Sequence, residues 1–385
     1  MTQMLLTELG QHQQQLLSIV DAVPETDCYR QFHSDLSPLA WHLGHCAFIE
    51  SYWITDRVLG NSARTRATEA LYFPELSPKP ERGSRLPKKS DLLAQSRTAF
   101  AENIDLLVEL INNGRPHELT ADNYLLHFLI QHHCQHLETI QQILQQRAYQ
   151  QDWPLHEATS IDAIAPSADP LNIEPGSYEV GNSNKAVAYD NERPVWRATI
   201  EGARINRHLV TNSELLGFMQ AGGYRNKEWW SPAGWEWRQS LEVEAPDHWR
   251  QAANGNWYSL TNTGPTALDG ADPVYGLSFF EAEAYSHYAG GRLPHELEWE
   301  VAAATGGIGP DRAWEWCRNP FFPYPGFRAY PYDGYSLPWF DDQHQTLRGA
   351  SLHTLPPIQR ATFRNFYAPE KRHVFAGVRV AFDPA

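Results

Sequence analysis

The chain has 385 residues, long for a single hydrophobic core and about right for two domains. Lys plus Arg number 31 against 46 Asp plus Glu, a formal charge of −15, and such a surface repels phosphate backbones and argues against a nucleic-acid partner. No apolar run reaches membrane-span length, the N-terminus lacks a basic-then-apolar leader, and Cys28, Cys46, Cys134 and Cys317 lack C-x-x-C spacing, so a soluble cytoplasmic protein without a disulfide framework or cysteine-based zinc site is expected.

The 17 histidines and 14 tryptophans divide the chain: nine histidines precede residue 150, and twelve tryptophans follow it. Residues 1–150 are predicted to form a four-helix bundle. The first helix, about Thr2 to Val20, carries Leu5, Leu9, Leu16 and Val20 at helical spacing. The second is expected to start with Ser37 as N-cap and Pro38 at the first helical position, running through Trp41-His42-Leu43-Gly44-His45 to about Val58. An irregular, proline-containing stretch follows, Tyr72 to Lys89. The third helix begins near Ser90-Asp91 and is expected to stop at Asn112-Asn113-Gly114, and the fourth begins at Thr120 and runs to Gln146. Residues 151–176 read as a Pro- and Ala-containing linker. From Ser177 short β-like runs (178–180, 198–200) mix with aromatic-rich loops and two short helices, Ser213–Ala221 and Phe279–Ala289, an α+β pattern.

The fourth helix carries Gln131-His132-His133-Cys134-Gln135-His136-Leu137-Glu138-Thr139. Residues four apart on a helix lie one above the other, so His132 and His136 share a face and can grip one metal ion. Imidazoles suit Fe(II), Cu or Zn, and ligand type alone does not choose among them.

His132, Gln135, His136, Glu138 and Thr139 resemble the H-x-x-Q-H-x-E-T motif of the ergothioneine-type sulfoxide synthases (hercynine oxygenases). In the second half, Leu209-Val210-Thr211-Asn212, Gly290-Gly291-Arg292-Leu293-Pro294, Trp314-Glu315-Trp316, Leu347-Arg348-Gly349 and Gly377-Val378-Arg379 look like the ordered landmarks of the sulfatase-modifying-factor (formylglycine-generating enzyme) superfamily. Formylglycine-generating enzymes use a cysteine pair late in that domain, and no cysteine follows Arg348 here, which counts against that activity.

The resemblance implies a DinB-like four-helix bundle over 1–150 and a C-type-lectin-like domain over 177–385. It implies a non-haem Fe(II) enzyme that uses O₂ to join a thiol, cysteine or γ-glutamylcysteine, to C2 of hercynine or a related histidine betaine, leaving a sulfoxide. Ser37-Pro38-Leu39-Ala40-Trp41-His42-Leu43-Gly44-His45 resembles the segment that supplies the third metal ligand, so His45 joins His132 and His136. His42 is left as a neighbour of the site or core, and His133 is expected to point away from the metal. Pro331-Tyr332-Asp333-Gly334-Tyr335-Ser336 resembles the loop whose first tyrosine donates a proton, giving Tyr332 that role and Tyr335 a substrate contact. Gln135 and Asn365, in Arg364-Asn365-Phe366-Tyr367-Ala368-Pro369, are expected to position the betaine. Arg82 and Arg85 match an R-x-x-R pair that reads the thiol's carboxylate. Members that use γ-glutamylcysteine carry an Asp and an Arg where this chain has Tyr367 and Lys371, which leaves the donor open. Selenoneine synthases share the architecture, so a selenium donor is an alternative, as is a DinB-like metal-dependent thiol transferase.

Overall fold

The computed structural model describes residues 1–113 and 116–384 and divides at Gln151/Asp152 into two units. The first is helical. Helix α1 (Thr2–Ala22) buries Leu5, Leu9, Leu16 and Val20, the stripe its sequence period requires. After the short α2 (Glu25–Tyr29) comes α3 (Leu39–Ser51), in which every residue is buried. A helix buried all round is the centre of its bundle, so polar side chains at His42, His45 and Glu50 are interior groups that need partners. A one-turn helix, α4 (Glu69–Tyr72), precedes the expected irregular stretch, and another, α5 (Arg82–Arg85), interrupts it. Helices α6 (Lys89–Asn112) and α7 (Tyr124–Ala148) complete the bundle. The glycine stop expected at Gly114 lies outside the described residues.

Three details depart from the sequence expectation. Ser37 does not cap α3: the helix opens at Leu39 without a side-chain cap, and the Ser37 hydroxyl instead accepts from the Arg82 guanidinium. Beyond Ser51 the helix continues to Val58 as a π-helix, where Leu59 N–H reaches back to Ile54 O and the Thr55 hydroxyl donates to Ser51 O. Helix α7 starts at Tyr124 rather than Thr120, because Asp122 and Asn123 adopt left-handed backbone (φ 51° and 60°) that breaks the preceding turn. Asp and Asn tolerate that region better than other side chains do.

The second unit is α+β. It contains the sheets β1–β4–β12 (Pro170–Ile173, Ala203–Asn206, Ala381–Phe382), β2–β3 (Gly176–Val180, Trp196–Ile200), β5–β6–β7 (Trp249–Gln251, Trp257–Thr261, Gly264–Ala267) and β10–β9–β8–β11 (Asn365–Tyr367, Gln345–Gly349, Trp314–Pro320, Ala376–Gly377). Its helices are α8 (Asn212–Gln220), α9 (Pro232–Leu241), α10 (Phe279–Tyr288) and α11 (Glu296–Ala304). Ser278, Thr211 and His295 close reciprocal caps with Glu281, Glu214 and Glu298, which fixes three of the helix starts. Helix α11 packs Leu297, Trp299 and Val301 against Ile173, Val180, Ile200 and Ile205. The expected linker, 151–176, is not a free connector. It lies along the second unit: Ile164 N–H bonds Ser213 O, the Ser167 backbone and hydroxyl both donate to Glu214, and 170–173 form an edge strand.

Buried ion pairs hold this unit together. Arg379 meets Glu315 through two bonds (2.6 and 2.9 Å), and Arg364 meets Glu296 through two more (2.8 and 2.7 Å). Arg292 and Glu298, closer to the surface, pair bidentately.

Candidate metal centre

Helices α3 and α7 pack face to face in the bundle and bring three imidazoles together. His45, His132 and His136 each offer a ring nitrogen within 4.8 Å of the others. His45 is one turn beyond His42 on α3, and His132 and His136 are one turn apart on α7. Each ring has a different second contact. His45 Nδ1 lies 2.8 Å from Tyr72 O, where it donates, leaving Nε2 as its free lone pair. Trp41 stacks on the His45 ring at 4.4 Å and 15°. His136 turns Nε2 toward His132 Nε2 (3.1 Å) and Nδ1 toward His42 Nδ1 (2.8 Å).

Burial, reinforced by the crowding of like groups, keeps these rings neutral. His42, His132 and His136 are held well below the ordinary histidine range, with desolvation the leading cause, and His45 falls to about 3. Neutral imidazole is the form that ligates a metal. The donor set therefore fits a borderline divalent cation, and His42 is outside it because its near nitrogen faces the His136 ring.

His133 turns away from this cluster, as expected. It is fully buried, with Nε2 2.8 Å from Glu50 Oε1. Gln13 and Asn103 also donate to Glu50 (2.9 and 3.1 Å), so the carboxylate is the hub of a polar network inside the bundle. Cys46, His132 and His133 form a second set within 4.8 Å, but it borrows His132 from the first, and His133 is already committed to Glu50.

The remaining candidates divide. Gln135 is half-buried one turn after His132 on α7. Arg82 does not sit in a solvent-facing clamp with Arg85. It is buried, stacks 3.8 Å over Trp41, and spends its N–H groups on Ser77 O (2.8 Å), Pro74 O (3.1 Å) and the Ser37 hydroxyl. Arg85 is exposed and donates to Ala70 O (2.8 Å). The structure thus gives the two guanidiniums separate targets in the loop. Arg82 supports the Trp41 ring that lies on His45, a contact the sequence did not reveal.

In the second unit, Tyr332 is 39% exposed on a loop tied down at both ends. Asp190 accepts from the Ser336 hydroxyl (2.5 Å) and the Tyr330 N–H (3.3 Å), and Asn191 also donates to Ser336 (3.0 Å). Burial pushes Asp190 up to about 6 against the pull of those bonds. Tyr335 stacks on Tyr189 at 4.3 Å. Asn365 opens strand β10 and is half-buried. Tyr367 meets the His373 ring edge-on, and Lys371 pairs with Glu370 at 2.9 Å.

Residues 8–140 match the DinB superfamily and residues 160–313 the sulfatase-modifying factor enzyme 1-like domain. The hercynine oxygenase of Mycobacterium tuberculosis is 32% identical over 92% of this chain and 92% of its own. The chain belongs to the hercynine oxygenase family. The hercynine oxygenases of Mycolicibacterium thermoresistibile and Mycolicibacterium smegmatis are each 30% identical, covering 95% and 98% of this chain and 92% and 98% of their own. The formylglycine-generating enzyme of Thermomonospora curvata, 30% identical, covers 38% of this chain and 54% of its own. Membership of the hercynine oxygenase family makes this chain an oxygenase that acts on small molecules, with a helical DinB domain ahead of a formylglycine-generating-enzyme-like one. Among the described residues, no helix is long and apolar enough to cross a membrane.

Proposed function

We propose that this protein is a non-haem Fe(II)- and O₂-dependent sulfoxide synthase. It joins a thiol, cysteine or γ-glutamylcysteine, to C2 of hercynine or a related histidine betaine, as in ergothioneine-type biosynthesis. The observation that carries the reading is the cluster of three neutral imidazoles in a chain whose full-length relatives are hercynine oxygenases.

His45, His132 and His136 would hold the metal. Iron held by these three imidazoles would supply the redox chemistry that activates O₂ toward the thiol. The side chains do the rest. Tyr332, whose phenol carries a dissociable O–H, is the proton donor. Gln135 and Asn365 offer amides to the substrate's imidazole and carboxylate. A trimethylammonium cannot donate hydrogen bonds, so aromatic faces such as Tyr335 suit it.

The burial of Arg82 on Trp41 divides the roles of the two arginines. Arg85, with a guanidinium face still open to solvent, is the carboxylate contact, while Arg82 acts through Trp41. The Tyr367 and Lys371 pair disfavours γ-glutamylcysteine, because Lys371 already pairs with Glu370 and position 367 carries a phenol rather than a carboxylate.

The test is anaerobic loading with Fe(II), then O₂ uptake with hercynine against histidine, and with cysteine against γ-glutamylcysteine and a selenosugar. Sulfoxide formation from hercynine and cysteine is the expected result. Fe(II) loading without thiol-dependent O₂ uptake would overturn the reading. Uptake only with the selenosugar would make the protein a C–Se synthase, and activity with zinc in place of iron would make it a thiol transferase.

A further inference from the structure

We infer that His42 is a positioning residue that fixes how His136 binds metal, an inference that rests on the three-imidazole reading above. His136 turns Nε2 toward the other ligand rings, lying 3.1 Å from His132 Nε2. A metal at that side takes the Nε2 lone pair, and a neutral imidazole then keeps its proton on Nδ1. That N–H points at His42 Nδ1, 2.8 Å away, so His42 must accept.

Ligating histidines are ordinarily held this way, their second nitrogen donating to a carboxylate, carbonyl or water. His45 follows that rule through Tyr72 O. His136 departs from it, because its acceptor is another neutral imidazole. The acceptor in turn has a fixed tautomer: with Nδ1 accepting, His42 carries its own proton on Nε2. That nitrogen is buried and has no hydrogen-bond partner among the described residues. An unpaired buried N–H costs stability, so packing alone would favour an apolar side chain at this position of α3. Holding His136 in one tautomer and one ring orientation accounts for the histidine.

The stereochemistry of the amide side chains supplies the test. Asn places its carbonyl oxygen close to where His places Nδ1, whereas Gln places its own close to Nε2. His42→Asn therefore keeps an acceptor for His136, while His42→Gln and His42→Leu do not. Co(II) titration of the full-length, metal-free protein, followed by visible absorption, measures affinity and ligand field together without turnover. Parallel thermal unfolding of the metal-free variants reports on folding.

The expected result is a loss of Co(II) affinity of about 10- to 100-fold in His42→Leu and His42→Gln, with an altered Co(II) spectrum, and recovery to within a few-fold in His42→Asn. Asn binding no more tightly than Gln, or Leu binding as tightly as the parent, overturns the inference. If the Leu variant does not fold, the comparison of Asn with Gln still decides. A parent protein that does not bind Co(II) at all removes the three-imidazole reading itself, and is thereby distinguishable from a failure of His42 alone.

Discussion

Arg364 directly precedes Asn365, and replacing it by Lys separates charge from geometry. The guanidinium is 1% exposed and makes four hydrogen bonds: to both oxygens of Glu296 (2.8 and 2.7 Å), to Asn191 O (2.7 Å) and to Phe322 O (2.8 Å). Its cation also lies 4.2 Å over the Tyr324 ring. Lys keeps the charge but offers three donors from a single atom, which cannot reach a carboxylate and two carbonyls on different sides. Two buried acceptors left unpaired at about 1–3 kcal/mol each give a loss of about 2–6 kcal/mol. Arg364→Met, which also removes the cation, leaves Glu296 with Arg348 as its counter-ion (3.1 Å) and loses at least as much. Urea unfolding followed by tryptophan fluorescence measures this in the right place, because twelve of the 14 tryptophans follow residue 150. The same variant should raise KM for the imidazole substrate through displacement of Asn365. A Lys variant within about 0.5 kcal/mol of the parent, below the cost of even one lost bond, would refute the reasoning.

Three further outcomes are expected. Tyr332→Phe should divert turnover to thiol oxidation, with O₂ uptake continuing and sulfoxide lost in product analysis; sulfoxide at the parent rate would remove the proton-donor role. The folded carboxyl of Asp190 is raised to about 6 from 3.8, so the folded chain holds a proton that the unfolded chain has released between those values. Its contribution to stability is therefore largest at low pH and is lost as pH rises toward about 6; Asp190→Asn should gain about 1 kcal/mol relative to the parent between pH 5 and pH 7 in urea unfolding, and a pH-independent difference would contradict this. Gly217→Ala normally favours a helix, but here the new Cβ would stand 2.0 Å from Ile164 O, a backbone atom, so a loss of about 1–3 kcal/mol and faster proteolysis around 158–170 are expected.

Much of this protein was legible in its residue pattern. The stripe on α1, the start of α6 and the H-x-x-x-H of α7 are local signals, and helical period alone puts His132 beside His136. What was not legible depends on long-range partners. Arg82 sits in a Pro- and Lys-containing segment that reads as a basic surface loop, yet Ser37, 45 residues earlier, and Trp41 bury it. His42 stands beside His45 in the same motif, but only the approach of α7 from 94 residues away turns it toward His136. Asp190 and Tyr332 are more than a hundred residues apart, and nothing near either shows that one anchors the other's loop. The π-helix after Ser51 likewise has no marker in its sequence.

The strap of residues 152–176 bears on how the protein could be taken apart. Ile164 and Ser167 are bonded to α8, and 170–173 complete an edge of the β1–β4–β12 sheet. A hybrid enzyme that exchanged helical halves at residue 177 would strip the recipient of that edge and leave Glu214 without its Ser167 donors. Grafts joined at Gln151 keep those bonds within one parent, so engineered recombination in this architecture has its natural seam there, well upstream of Ser177, where the short β-like runs begin.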